Sequence, residues 1–80
     1  MIYPVKLKIE YSNPDSLMSN VESNHTISKR DDLTHVVCFL DMIDEHVLWY
    51  PSDLIEMIDQ LEVAEVSEIR AGNFTISLWG

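Results

Sequence analysis

The sequence predicts an α+β protein: a small antiparallel sheet of three to four strands with two helices packed on one face, a two-layer sandwich. Three observations predict it. Apolar and charged residues alternate over residues 3–11, the apolar period lengthens to that of a helix from Asp32 onward, and residues 66–79 return to alternation around a Gly-Asn turn. Eighty residues suit one domain, 1–80, in which about 60% of the unfolded chain's surface can be buried. That allows one thin core and makes a large internal cavity unexpected.

The first strand is the clearest element. Tyr3, Val5, Leu7, Ile9 and Tyr11 share one face while Lys6, Lys8 and Glu10 share the other, so one side is core and the other is wet. After it, Asn13 is placed to cap a short helix opened by Pro14, with Leu17 and Val21 turned inward; a plain loop is the alternative. Residues 25–29, HTISK, make a weak second strand supported by Ile27 between Thr26 and Ser28.

From Asp32 the stripe Leu33, Val36, Val37, Leu40 and Ile43 predicts a helix capped by Asp31 or Asp32. Another turn would push Asp44 into that stripe, so the helix is expected to end near Ile43. The residues VLWY then form an extended connector, because Pro51 disfavours helical geometry at Tyr50. Ser52 is expected to cap a second helix, with Leu54, Met57, Ile58 and Leu61 on one arc and its end between Glu62 and Ala64. The chain finishes in a hairpin: Ala71, Gly72 and Asn73 turn it, and Phe74, Ile76 and Leu78 alternate with Thr75, Ser77 and Trp79. By phase, Trp79 belongs on the sheet face away from the helices.

Charge is the most informative feature. The net charge is −9, and from Asp31 to Glu68 there are eleven acids without one Lys or Arg. All five bases, Lys6, Lys8, Lys29, Arg30 and Arg70, lie outside that stretch. A field of one sign repels itself, and i,i+4 ion pairs that would have relieved it by about 0.2–0.5 kcal/mol each are missing from both helices. An acidic helix face is commonly just a solvated face. It also attracts basic surfaces and speeds encounter with them by roughly 10 to 10³-fold.

Within residues 53–69 an acid recurs at every third position. On a helix that spacing turns each side chain back by about 60°, so Asp53, Glu56, Asp59 and Glu62 sweep around half the cylinder as a broad face, with Ile55 inside it. Glu68 belongs to the strand that follows. The expected partner-binding residues are these four acids and Ile55, with Trp49 and Tyr50 as aromatic anchors and Asp41, Asp44 and Glu45 extending the field.

The expected partner is a basic protein, a nuclease or another nucleic-acid-binding protein whose positive groove the acids would occlude in the manner of a nucleic-acid mimic. Direct contact with nucleic acid or membrane is not expected of so acidic a chain. Its compactness, acidity and lack of motifs match no recognised family and are compatible in general character with phage-encoded inhibitors of host defence nucleases, anti-CRISPR proteins among them, or with bacterial immunity proteins. The alternative is a structural or regulatory subunit that dimerises through its sheet and C-terminal hairpin, using Trp79.

Other chemistry has little to stand on. His35, Cys38 and Met42 occupy neighbouring turns, but without a second Cys or a recognised ligand spacing they do not define a metal site. Cys38 is expected at the edge of the core. There is no nucleophile elbow, phosphate-cradling glycine loop or calcium loop, so neither catalysis nor a cofactor is expected. A single cysteine and no signal-like or membrane-length apolar run suit a soluble protein of a reducing compartment, the cytoplasm.

Overall fold

A computed structural model describes residues 2–15, 20–64 and 66–79. The elements run β1 (Val5–Ser12), β2 (Asn20–Ile27), α1 (Asp32–Ile43), α2 (Pro51–Val63), β3 (Ile69–Ala71) and β4 (Phe74–Leu78). The four strands form one antiparallel sheet in the order β2-β1-β4-β3. Both helices cover one face, α1 nearest β2 and α2 nearest β4, which is the two-layer α+β arrangement expected. No helix among the described residues is long and apolar enough to cross a membrane.

The core follows the periodicities. Val5, Leu7, Ile9 and Tyr11 of β1 and Phe74 and Ile76 of β4 face Leu33, Val36, Val37 and Leu40 of α1 and Leu54, Ile58 and Leu61 of α2. Among the described residues nine large side chains, including Phe74 and Leu7, are fully buried. Each such Leu or Ile contributes about 1.5–3 kcal/mol, against a few tenths for a missing helical ion pair. Apolar burial therefore carries the self-repulsion of the acids.

β1 begins at Val5, so Tyr3 lies outside the strand and is partly exposed. The largest departure from expectation follows it. Asn13 accepts the Asp15 N–H at 3.0 Å in a turn at Pro14 and Asp15, residues 16–19 of the expected short helix, Leu17 among them, are outside the described residues, and Val21 lies in a strand. The second strand is eight residues long and ends at Ile27, where only residues 25–29 were expected. Its sequence hides this, because the positions facing the helices are Val21, Ser23, His25 and Ile27, of which two are polar. Pairing with all of β1 decides the conformation.

Helix entry is set at α1 by Asp32, one of the two residues expected there, and at α2 by a residue other than the one expected. Asp31 precedes α1 without a side-chain cap; the Asp32 carboxylate instead reaches back to the N–H groups of Ser28 at 2.8 Å and Lys29 at 3.2 Å. α2 starts two residues earlier than expected, with Pro51 at its first position and Tyr50 as N-cap, so Ser52 is helical and caps nothing. Asp53 closes the turn: its carboxylate accepts the Tyr50 N–H at 2.8 Å, and its own N–H donates to the Tyr50 carbonyl at 3.0 Å.

α1 stops at Ile43, as expected. Asp44 fastens its end, accepting the Tyr11 hydroxyl at 3.2 Å and the His46 N–H at 3.1 Å. In the terminal hairpin Ala71 pairs with Phe74, which leaves a two-residue turn of Gly72 and Asn73. Gly72 takes φ +61°, a conformation open to glycine at little cost.

Candidate functional site

The acidic face is built by α2. Its inner arc, Leu54, Ile58 and Leu61, is held by the core, and this fixes where the acids point. Glu56 and Glu62 are exposed, while Asp53 and Asp59 are half-buried on the flanks. α2 holds four acids and α1 two, with no Lys or Arg in either helix. Glu62 stands in the last turn of α2, where the helix dipole opposes an acid.

On the far side of the sheet the signs differ. Lys6 and Lys8 of β1 and Arg70 of β3 point away from the helices, opposite the inward phase of Leu7, Ile9 and Ala71. Lys8 bridges Glu10 at 3.1 Å and Glu22 at 3.6 Å, and these carboxylates hold its ammonium above the ordinary range. Lys6 lies 5.2 Å from the centre of the Trp79 ring. The molecule is thus polarised, with an acidic helix layer opposite a sheet face that carries three of its bases.

Apolar side chains interrupt the acidic face. Ile55 is half-buried against the core and lines a shallow hollow with Glu56, Asp59, Val63 and Ala64. Val63 is 83% exposed, which makes it the outermost apolar residue of α2; the sequence pattern singled out only Ile55. A helical projection would have shown it, since Val63 lies half a turn from Leu54 and Leu61. A second groove of about 400 Å³ runs between α2, the connector and the hairpin, where Asp53, Glu56 and Gln60 meet Leu48, Met57 and Ile69.

The remaining expected residues fall into different roles. Trp49 is only 5% exposed, packed edge-to-face on Phe74 with ring centres 5.7 Å apart. It is a core residue, which corrects its assignment as a surface anchor; Tyr50 beside it is exposed. Asp44 is occupied in holding α1 to β1. Glu45 is exposed beside it, on the rim of an open depression with Asp15 and Asn73. Asp41 is half-buried on α1, and its Oδ1 has no hydrogen-bond partner among the described residues. These three acids extend the helix layer without joining the α2 face.

Cys38 is exposed, not at the core edge as expected. Among the described residues no cluster of three His, Cys, Asp or Glu side chains is placed to hold a metal ion. Burial holds His25 below its ordinary titration range; its Nε2 lies 2.8 Å from the Ser23 hydroxyl and its ring 4.9 Å from that of Phe39.

The fold and surface together define a class: a small α+β protein with an acidic helix layer. Compared with known proteins, the chain matches no family model, no curated protein and no solved structure.

Proposed function

We propose that this protein binds and blocks a basic protein, a nuclease or another nucleic-acid-binding protein, by charge-complementary occlusion of its positive groove. Glu56, Asp59 and Glu62, with Asp53 at the flank, meet the partner's Lys and Arg. Ile55 and Val63 supply apolar contact within that field, and Tyr50 extends it. The protein acts by binding, without turnover, a role of the kind filled by phage anti-defence proteins, anti-CRISPR proteins among them, and by immunity proteins. An exposed Cys38 suits a reducing compartment such as the cytoplasm.

The observation that supports this reading is the uneven distribution of charge: both helices lack Lys and Arg entirely, while on the outer face of the sheet Lys6, Lys8 and Arg70 outnumber the two acids there, Glu10 and Glu22. Such a dipole orients the molecule in the field of a basic partner before contact. The test is inhibition of a panel of purified basic nucleases, followed by association kinetics with the one inhibited. The double variant Glu56→Lys with Asp59→Lys is expected to slow association by about tenfold or more and to flatten its dependence on salt. Inhibition and kinetics unchanged in that variant would refute the acidic face as the contact surface.

A further inference from the structure

Among the described residues the sheet has one long open edge, β2. Trp79 donates its N–H to the Lys6 carbonyl at 3.1 Å and Ser12 donates to the Asn73 carbonyl at 3.0 Å, so the even-numbered residues of β1 bond toward β4. Its odd-numbered residues therefore bond toward β2. In the β1–β2 register these face Val21, Ser23, His25 and Ile27. The other residues of β2, Asn20, Glu22, Asn24 and Thr26, consequently turn their N–H and C=O groups outward. The opposite edge of the sheet, β3, is only three residues long.

Proteins commonly guard such an edge with proline, lysine, a bulge or a covering segment. β2 has no proline and no lysine, and its register with β1 is unbroken over eight pairs. The helical cover also stops short above it: Ile27 is buried, but Val21, Ser23 and His25 are half-exposed on the side that faces the core. Phe39 of α1 meets the His25 ring and is itself half-exposed. On the same flank of the helix, at i−4 and i+3 from Phe39, lie His35, which is exposed, and Met42, which is 84% exposed.

We propose that this edge pairs with the same edge of a second copy, joining two four-stranded sheets into one across a two-fold axis. An antiparallel edge is self-complementary in its backbone donors and acceptors, as an isologous interface requires. The unfinished cover is self-complementary too, since Val21 of one copy comes beside His25 of the other, with the Phe39 and Met42 side chains above them. Charge favours this side in a chain of net charge −9. Glu22 is the one charged residue of β2, and it shares the Lys8 ammonium, 3.6 Å away, with Glu10. With Ser23 on the axis, Glu22 stands opposite Asn24 and not opposite its own counterpart. The interface does not use the acidic face of α2, which lies over the other half of the sheet, so the two surfaces can be occupied together.

Sedimentation of the full chain across the micromolar range, combined with amide hydrogen exchange, tests this. A dimer is expected, with the outward amides of Glu22, Asn24 and Thr26 protected more strongly as concentration rises. Asn24→Pro removes an outward N–H without taking a bond from β1, and Met42→Glu places charge on the exposed flank. Each is expected to raise the dimer dissociation constant by about tenfold or more with unchanged circular dichroism, whereas Glu56→Lys with Asp59→Lys leaves it unaltered. A wild-type monomer throughout, or a dimer that survives both edge variants but dissociates on Trp79→Ala, would overturn the proposal. The first outcome leaves the edge to a strand from a different protein, and the second moves the contact to the outer face of the sheet.

Discussion

Asp53 has two demands on one carboxylate. It accepts the Tyr50 N–H at 2.8 Å, satisfying an orphan donor at the start of α2, and it also stands at the flank of the acidic face. Asp53→Ala is expected to cost about 0.5–2 kcal/mol of stability, read from the urea midpoint, whereas Asp53→Asn keeps an acceptor and should lose less. His25 makes a pH prediction. Burial lowers its folded pKa below the ordinary 6.5, so the unfolded chain takes up the proton first on acidification. Its contribution is fully present above roughly pH 6.5 and is lost as pH falls toward the folded value. Relative to His25→Gln, wild-type stability should therefore decline as pH falls below about 6.5, measured by denaturant titration at each pH.

Among the elements, α2 shows binding and stability pulling apart. Its last turn carries Glu62 and no base, the wrong sign for the negative end of a helix. Glu62→Lys is expected to raise stability by about 0.3–1 kcal/mol while weakening capture of a basic partner; urea titration and association kinetics on the same variant separate the two effects. Elements with a plain apolar period are legible in the chain itself. The stripe from Leu33 to Ile43, the arc from Leu54 to Leu61 and the alternation of β1 and β4 each state their own geometry. β2 is not legible as a whole, because Ser23 and His25 stand at inward positions and only pairing with β1 makes them strand. Trp49 is illegible for a related reason: it sits in a connector with no period, and its burial depends on Phe74, far along the chain. At the start of α2, Ser52 matches a cap by residue type, but Pro51 fits the first helical position better and moves the cap to Tyr50.

For the whole molecule, the separation of charge is half legible. The stretch without Lys or Arg is visible in the chain, but its opposition to Lys6, Lys8 and Arg70 needs the sheet register. Because net charge is −9 and neither helix contains a Lys or Arg, salt should stabilise the fold. Raising NaCl from about 10 mM to about 0.3 M, which shortens the Debye length from roughly 30 Å to below 10 Å, is expected to increase Tm. Added sucrose at equal osmolality controls for general exclusion effects. The Glu56→Lys with Asp59→Lys variant should show a smaller salt response, since part of the repulsion is already removed.

The two tryptophans stand on opposite sides of the sheet. Trp49 is sealed against Phe74, whereas Trp79 is 47% exposed with Lys6 over its ring. Each therefore emits from a different medium, and the protein carries two native optical reporters. The blue-edge emission of Trp49 follows loss of the core, and the red-edge emission of Trp79 follows events on the outer face. Iodide, repelled by the molecule at large but drawn toward Lys6, should quench the second selectively, so that core unfolding and occupancy of the outer face can be followed in one cuvette without a label.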